Sequence, residues 1–407
     1  VQKRFFKTDY GKGIRKLLTS NKKINGVYDY VETDLFAGRI TYVAIVVCDN
    51  NERNNEYVWY MKSDTHESQL LSHTSLAETP WNFENAELNA LRMRLTENLG
   101  TLKDVCNVKV GVQVLWNDAF QIHVNSIDGN MIHGYSAIDD DITIELGACK
   151  PLLCNEHFAP LTKREYTTYA LFPYDVTDEG EVTELNISSI KEKYPHAYNY
   201  LSKHHDMIVS KVETLPSRIR EYNMDEHWHL FTRANNHGAI YEKLAVPMTA
   251  QYPQAAVVMD KHVYCDNANM FFVQVQDATE TKLYALAAII SSTAFCTLAR
   301  SIANPQQGGY YKFNKQFLDP VPVPVEAFKK CNTSIRKLAS VAKQIEATNE
   351  QIKLSVGGQT SGLVNSLKTQ WDELDLICDK LYGLTIKDKG VIYSSHRFDR
   401  NPYGQED

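Results

Sequence analysis

The residues with the most chemical content lie in Gly308-Gly309-Tyr310-Tyr311-Lys312-Phe313-Asn314-Lys315-Gln316-Phe317-Leu318-Asp319-Pro320-Val321-Pro322-Val323-Pro324. Two glycines permit close approach of backbone to a ligand. Tyr310 and Tyr311 offer stacking faces with a polar tip, and Lys312 and Lys315 supply point charges. This combination suits a nucleic-acid surface better than a small-molecule pocket. Proline at every second position predicts an extended run at a sheet edge. The competing reading is a loop leading into an edge strand, with ordinary surface lysines.

Charge distribution points the same way. The 407-residue chain has a net charge of −7, which argues against a uniformly basic binder. Residues 1–23, however, carry eight Lys/Arg against Asp9 alone, a net of +7. Residues 300–343 carry eight more against Asp319 and Glu326, a net of +6, leaving the remainder at −20. Two basic segments on an acidic body form a stripe that steers a polyanion.

Other motifs exclude more than they assign. His227 and His229 are expected on one face of a strand, but no third ligand accompanies them, and zinc or iron sites want three or four. The eight cysteines form no CxxC pair; Cys48, Cys296 and Cys378 sit in apolar settings and read as reduced core residues of a cytoplasmic protein. No apolar segment follows Lys3–Lys7 to make a signal peptide. The run Leu283–Ala299 is broken by Ser291, Ser292, Thr293 and Thr297 and reads as a buried helix, so no membrane partner is expected. No Ser–His–Asp, Walker or PD-(D/E)xK pattern is legible.

The elements that must position these residues read as mixed α/β in class α+β. Residues 1–65 form an α/β block. It has a helix over 9–20 with Ile14, Leu17 and Leu18 on one side, a strand over 24–31, and a strand over 40–48 whose apolar run Tyr42–Val47 predicts burial on both faces. Residues 51–80 read as loop, and 66–107 as a helical connector with Leu88, Leu91 and Leu95 at helical spacing. Residues 108–325 alternate short strands with helices over 188–200 and from 282 onward. A helical hairpin follows over 326–385, its two apolar faces separated by Gly357–Gly362, and 386–407 reads as a polar tail.

Read in order, these strings resemble the C-terminal part of adenine-N6 DNA methyltransferases with a TaqI-like specificity region, including fused type IIG restriction–modification enzymes. Tyr10-Gly11 through Arg15-Lys16-Leu17-Leu18 and Leu35-Phe36-Ala37-Gly38-Arg39-Ile40-Thr41-Tyr42 are similar to the end of the catalytic domain. Gly111–Phe120, Ile144–Leu153, Tyr169–Tyr174, Tyr194–Leu201, His227–Arg233 and Leu286–Ser292 follow the specificity region, with Lys150 where Arg is usual and Ser291 where Asn is usual. Trp371–Leu384 fits its closing helix. The resemblance implies a double-stranded DNA partner and, for the intact parent, S-adenosylmethionine. Mg²⁺ enters only with a fused nuclease. It also implies that Phe36, ahead of Tyr42, stacks on a flipped adenine.

Asn117 suits an adenine edge and Trp116 a stacking contact, or the pair is a turn Asn with a half-buried Trp. Arg233 reads guanine, or is a buried ion-pair partner. The expected DNA surface therefore comprises Phe36, Trp116, Asn117, Lys150, Arg233, Tyr310, Tyr311, Lys312 and Lys315. The cofactor's glycine turn and the Asn/Asp-Pro-Pro-Tyr/Phe loop are not legible. Asn401-Pro402-Tyr403-Gly404 lacks the second proline, so no catalytic residue is assigned and the chain reads as a piece cut inside the catalytic domain. A rival from another class is a protein-interaction scaffold working through the helical hairpin. The oligomeric state stays open.

Overall fold

Four strands make the N-terminal sheet: β1 Ile24–Asp29, β2 Ala44–Cys48, β3 Tyr57–Lys62 and β4 Ser68–Ser72, in the order β2-β1-β3-β4. The pair β1–β3 is parallel and the others antiparallel. The computed structural model describes residues 1–20, 22–30, 35–36, 42–50, 56–63, 66, 68–76, 81, 83, 86–155, 158–163, 165–223, 225–233, 236–306, 309–355, 360–395 and 400. The strings at Gly308, 37–41, 357–359 and 401–404 therefore lie outside the described residues. One face of the sheet closes on Phe5, Phe6, Val27, Val58, Tyr60, Leu71, Trp81 and Phe83. Trp59 lies across Gly26, where a Cβ would stand 1.9 Å from the indole, so only glycine fits there.

Three expectations fail in this block. β2 is an edge strand rather than one buried on both faces: Ile45 is 49% and Val47 38% exposed, and Cys48 is exposed too. Residues 51–80 are not all loop, since β3 and β4 carry the sheet to Ser72, beyond the expected boundary at 65. The helix Lys12–Ser20 forms, but Ile14 and Leu17 are exposed and Arg15 is the buried residue. Its guanidinium donates to the carbonyls of Phe5 and Thr8, both at 2.7 Å, so a charge replaces the apolar side the periodicity selected.

The middle of the chain is mixed α and β. A six-stranded sheet runs, in spatial order, through Tyr264–Cys265, Cys149–Leu153, Thr168–Leu171, Gln121–Asp128, Met131–Ser136 and Asp139–Glu145. A second, antiparallel sheet runs through Ala256–Val258, Lys243–Pro247, Met270–Val275 and Cys106–Val110. Against it packs the apolar segment, which is two helices, Glu280–Ser291 and Thr293–Ile302, bent by 60°. Ser292 turns the corner and its hydroxyl accepts from Phe295 N. Ser291 is fully buried, and its Oγ accepts from Ala255 N at 3.1 Å, tying helix to strand. Among the described residues no single helix is long and apolar enough to cross a membrane.

The helix expected over 188–200 breaks before Pro195 into Ile187–Lys193 and Pro195–Lys203, because proline is tolerated only in the first turn. His227 and His229 do not share a strand. A 3₁₀ turn ends at His227, His227 stacks on Tyr222, and the buried His229 meets the Leu185 carbonyl at 2.8 Å. The Pro-alternating run forms no edge strand either. Val321 and Val323 are buried and Pro322 makes one antiparallel bridge to Thr101.

The hairpin, Thr333–Leu354 and Ser361–Tyr382, stands as expected, with Ile335, Leu338, Val341, Ile345, Leu367, Trp371 and Leu374 buried in a core shared with the helix at 280–291. Residues 386–407 are not all tail: Ile386–Ser395 is a helix with Ile392 fully buried. Beyond it, Arg400 grips Asp375 in a bidentate pair at 3.1 and 2.6 Å, lying 4.4 Å from the centre of the Trp371 ring.

Candidate nucleic-acid interface

The two basic segments, some 300 residues apart, meet at one cleft. A cavity of about 350 Å³ opens between the N-terminal block and the three-stranded sheet Thr249–Ala250, Tyr311–Lys312 and Asn304–Pro305. Lys3, Arg4 and Lys7 line one wall and Lys312 the other. Lys3 is taken by Asp29 (2.5 Å) and the Tyr30 carbonyl (2.9 Å), and Tyr60 Oη donates to the other Asp29 oxygen at 2.7 Å. Lys7 Nζ donates to the Ala303 carbonyl at 2.8 Å, joining the walls. Arg4 and Lys312 have no side-chain partner among the described residues. Among the described residues the one lining carboxylate is thus neutralised while two cations stay available.

The rest of the expected loop divides between display and structure. Gly309 has φ +78°, a left-handed turn that leaves Tyr310 45% exposed. Tyr311 is half-buried beneath the Arg300 guanidinium, 4.5 Å from its ring centre, so one of its faces is not free for a base. Lys315 is held by Asp319 (2.9 Å) and Asn107 Oδ1 (3.1 Å). Further along the segment, Lys330 pairs with Glu326, Lys337 with Glu373 and Lys343 with Glu280, and Arg336 donates to the Cys331 carbonyl. Four of the eight cations of the second basic segment are thereby neutralised locally.

Trp116 and Asn117 come together at a second cavity of about 420 Å³. Trp116 caps the short helix Asn117–Phe120, its Nε1 donates to Asp118 at 2.8 Å, and Lys211 lies 6.0 Å from its ring centre. Asn117 is exposed. Asp266, on the same cavity, is buried; desolvation raises its pKa, countered by donation from Ala268 N and Asn269 Nδ2. Lys150 is half-buried on Cys149–Leu153, opposite Ala170. Arg233 is exposed with no ion-pair partner among the described residues, which removes the buried-ion-pair alternative. Phe36 is 56% exposed and is not a core residue. Neither Lys150, Arg233 nor Phe36 lines the Lys312 cleft. Among the described residues, no group of three or more His, Cys, Asp or Glu is placed to hold a metal.

Arg4, Lys7, Lys211 and Asp266 were not singled out in the sequence. Charge density marks residues 1–23, but which cations remain unpaired depends on Asp29 and Ala303, one 26 and the other 296 residues away.

This cleft belongs to a chain with informative relatives. No family model matches it. Over 217 residues, 49% of this chain, it is 26% identical to the type II restriction enzyme and methyltransferase RM.Eco57I of Escherichia coli. It is similar in sequence to a restriction–modification enzyme. Its fold is also similar to that of the type IIL restriction–modification enzyme MmeI, solved in complex with DNA, at a TM-score of 0.53 and 11% identity over 92% of this chain. The similarity spans 21% of the length of RM.Eco57I and 45% of the MmeI chain.

Proposed function

We propose that this chain recognises a specific double-stranded DNA sequence, as the C-terminal part of a restriction–modification methyltransferase. The observation that carries the reading is the convergence of two remote basic segments on one cleft, leaving Arg4 and Lys312 unpaired on opposite walls. Unpaired cations flanking a cleft serve phosphate contacts, while Trp116, Asn117 and Arg233 supply exposed or half-exposed groups for base edges. Sequence similarity to RM.Eco57I supports the restriction–modification setting. The TaqI-like form of the specificity region, and a whole-protein reaction transferring a methyl group to adenine N6, belong to the same proposal.

S-adenosylmethionine would supply that methyl group, but the cleft does not suit it. The cofactor carries a sulfonium and an ammonium against one carboxylate, a net positive charge, and the lining presents four cations against one carboxylate already held by Lys3 and Tyr60. No step is therefore routed through the cofactor here. The scaffold alternative loses its surface, since the apolar stripes of the hairpin are buried against the body. Selection from a random duplex pool tests the proposal. A selected site should bind about 10³-fold tighter than bulk DNA, and equal binding to all sequences would refute it.

A further inference from the structure

We propose that the Arg4–Lys312 cleft holds a single unpaired nucleotide unit, its phosphate on the two free cations and its base against the amide rim. The inference rests on the DNA reading above where the nucleotide belongs to a strand, and extends it by naming what the cleft takes. At about 350 Å³ the cavity lies in the range of small-ligand sites. Its charge selects an anion, because Asp29 is saturated by Lys3 and Tyr60 while Arg4 and Lys312 have no partner among the described residues. Inorganic phosphate would leave most of the lining unused. Gln2, Asn304, Gln306, Asn314 and Gln316 surround the cavity with groups that both donate and accept, as a base edge requires. Behind them stand the packed rings of Phe6, Tyr60, Trp81 and Phe83, 5.1–5.7 Å apart between neighbouring centres. Lys7, fastened to Ala303, keeps the walls in register.

Two sources share this chemistry: a nucleotide displaced from a duplex and a free mononucleotide. The test compares a duplex carrying a one-nucleotide bulge with its fully paired counterpart by fluorescence anisotropy. Calorimetry on the same full chain titrates deoxynucleoside 5′-monophosphates and inorganic phosphate. A strand nucleotide predicts about tenfold tighter binding of the bulged duplex. Arg4→Ala and Lys312→Ala should each remove that gain with unchanged melting temperature, and Lys312→Arg should keep it. Gln306→Trp, which fills the cavity, should likewise remove the gain. Mononucleotide binding without any gain from the bulge assigns the cleft to a free nucleotide. Phosphate binding as tightly as mononucleotides, or no preference in either arm, overturns the inference. If the paired site is still selected in that case, the DNA reading survives alone; if it is not, both fail.

Discussion

The C-terminal hairpin and the N-terminal sheet are both built on apolar faces, and the protein treats them oppositely. The stripes of the hairpin helices meet each other and the helix at 280–291, and the Arg400–Asp375 ion pair is drawn inside. The sheet closes one face and leaves the other bare: Ile45, Val47, Tyr57 and Leu70 are 49, 38, 56 and 69% exposed. At the cleft beside the closed face stand Arg4 and Lys312, without a side-chain partner among the described residues. Apolar surface stabilises only where a neighbour removes it from water. The hairpin is therefore where stability concentrates, and the N-terminal block is where surface and charge remain available to a partner.

The largest effects should fall in the hairpin. Trp371→Ala removes a buried ring and the platform beneath Arg400, and should cost about 3–5 kcal/mol. Ile45→Ser on the bare face should change stability by less than about 0.5 kcal/mol. Urea titrations of both variants measure the contrast; equal losses would show that the bare face is covered in solution. Next in size, Arg400→Ala leaves Asp375 buried with only Thr293 as donor, and should cost about 3 kcal/mol. A loss no larger than that of a surface ion pair would mean that Arg400 does not clamp the helix.

Acid separates the central part from both regions. His237 is buried among the rings of Phe172, Tyr174 and Phe231, and burial lowers its pKa to about 4. Between pH 4 and 6.5 the unfolded chain binds the proton and the folded chain does not, so stability falls as pH drops through that window. The total is on the order of 2–3 kcal/mol. His237→Phe should flatten that part of the urea-midpoint profile relative to the unaltered protein, and parallel profiles would exclude His237 as the cause.

What was legible from sequence follows locality. The hairpin was readable because apolar residues at helical spacing over two 22-residue helices leave little alternative. The alternation of short strands with helices over 108–325 was readable because short apolar runs bounded by turns, such as Lys243–Pro247, are buried in a central sheet. β2 misled for the same reason: its run Ala44-Ile45-Val46-Val47 specifies a strand, but burial depends on neighbours that the run does not name. β3 was hidden by its polar flanks, and the helix at 386–395 by its short, mixed composition. At the candidate site, the type of residue was legible and its availability was not. Lys312 and Lys315 look equivalent in sequence, yet Asp319 and Asn107 engage one and leave the other free.

That difference gives the smallest and most discriminating expectation. Counting charges in residues 300–343 predicts a steep salt dependence of DNA binding, with every lysine and arginine contributing. Pairing within the fold shrinks the count: Lys315, Lys330, Lys337 and Lys343 each face a carboxylate at 2.7–2.9 Å. A paired cation brings its counter-charge to the phosphate and releases little salt. The log–log slope should therefore be about −2 to −3 rather than about −7, one per free cation at the cleft with small additions from exposed Arg233 and half-buried Lys150. Lys312→Ala should reduce its magnitude by about one, whereas Lys315→Ala should leave it nearly unchanged. Anisotropy titrations between about 50 and 200 mM salt decide between them. Equal changes for the two lysines would mean that Lys315 leaves Asp319 on binding DNA, and that availability at this surface is set by the partner rather than by the fold.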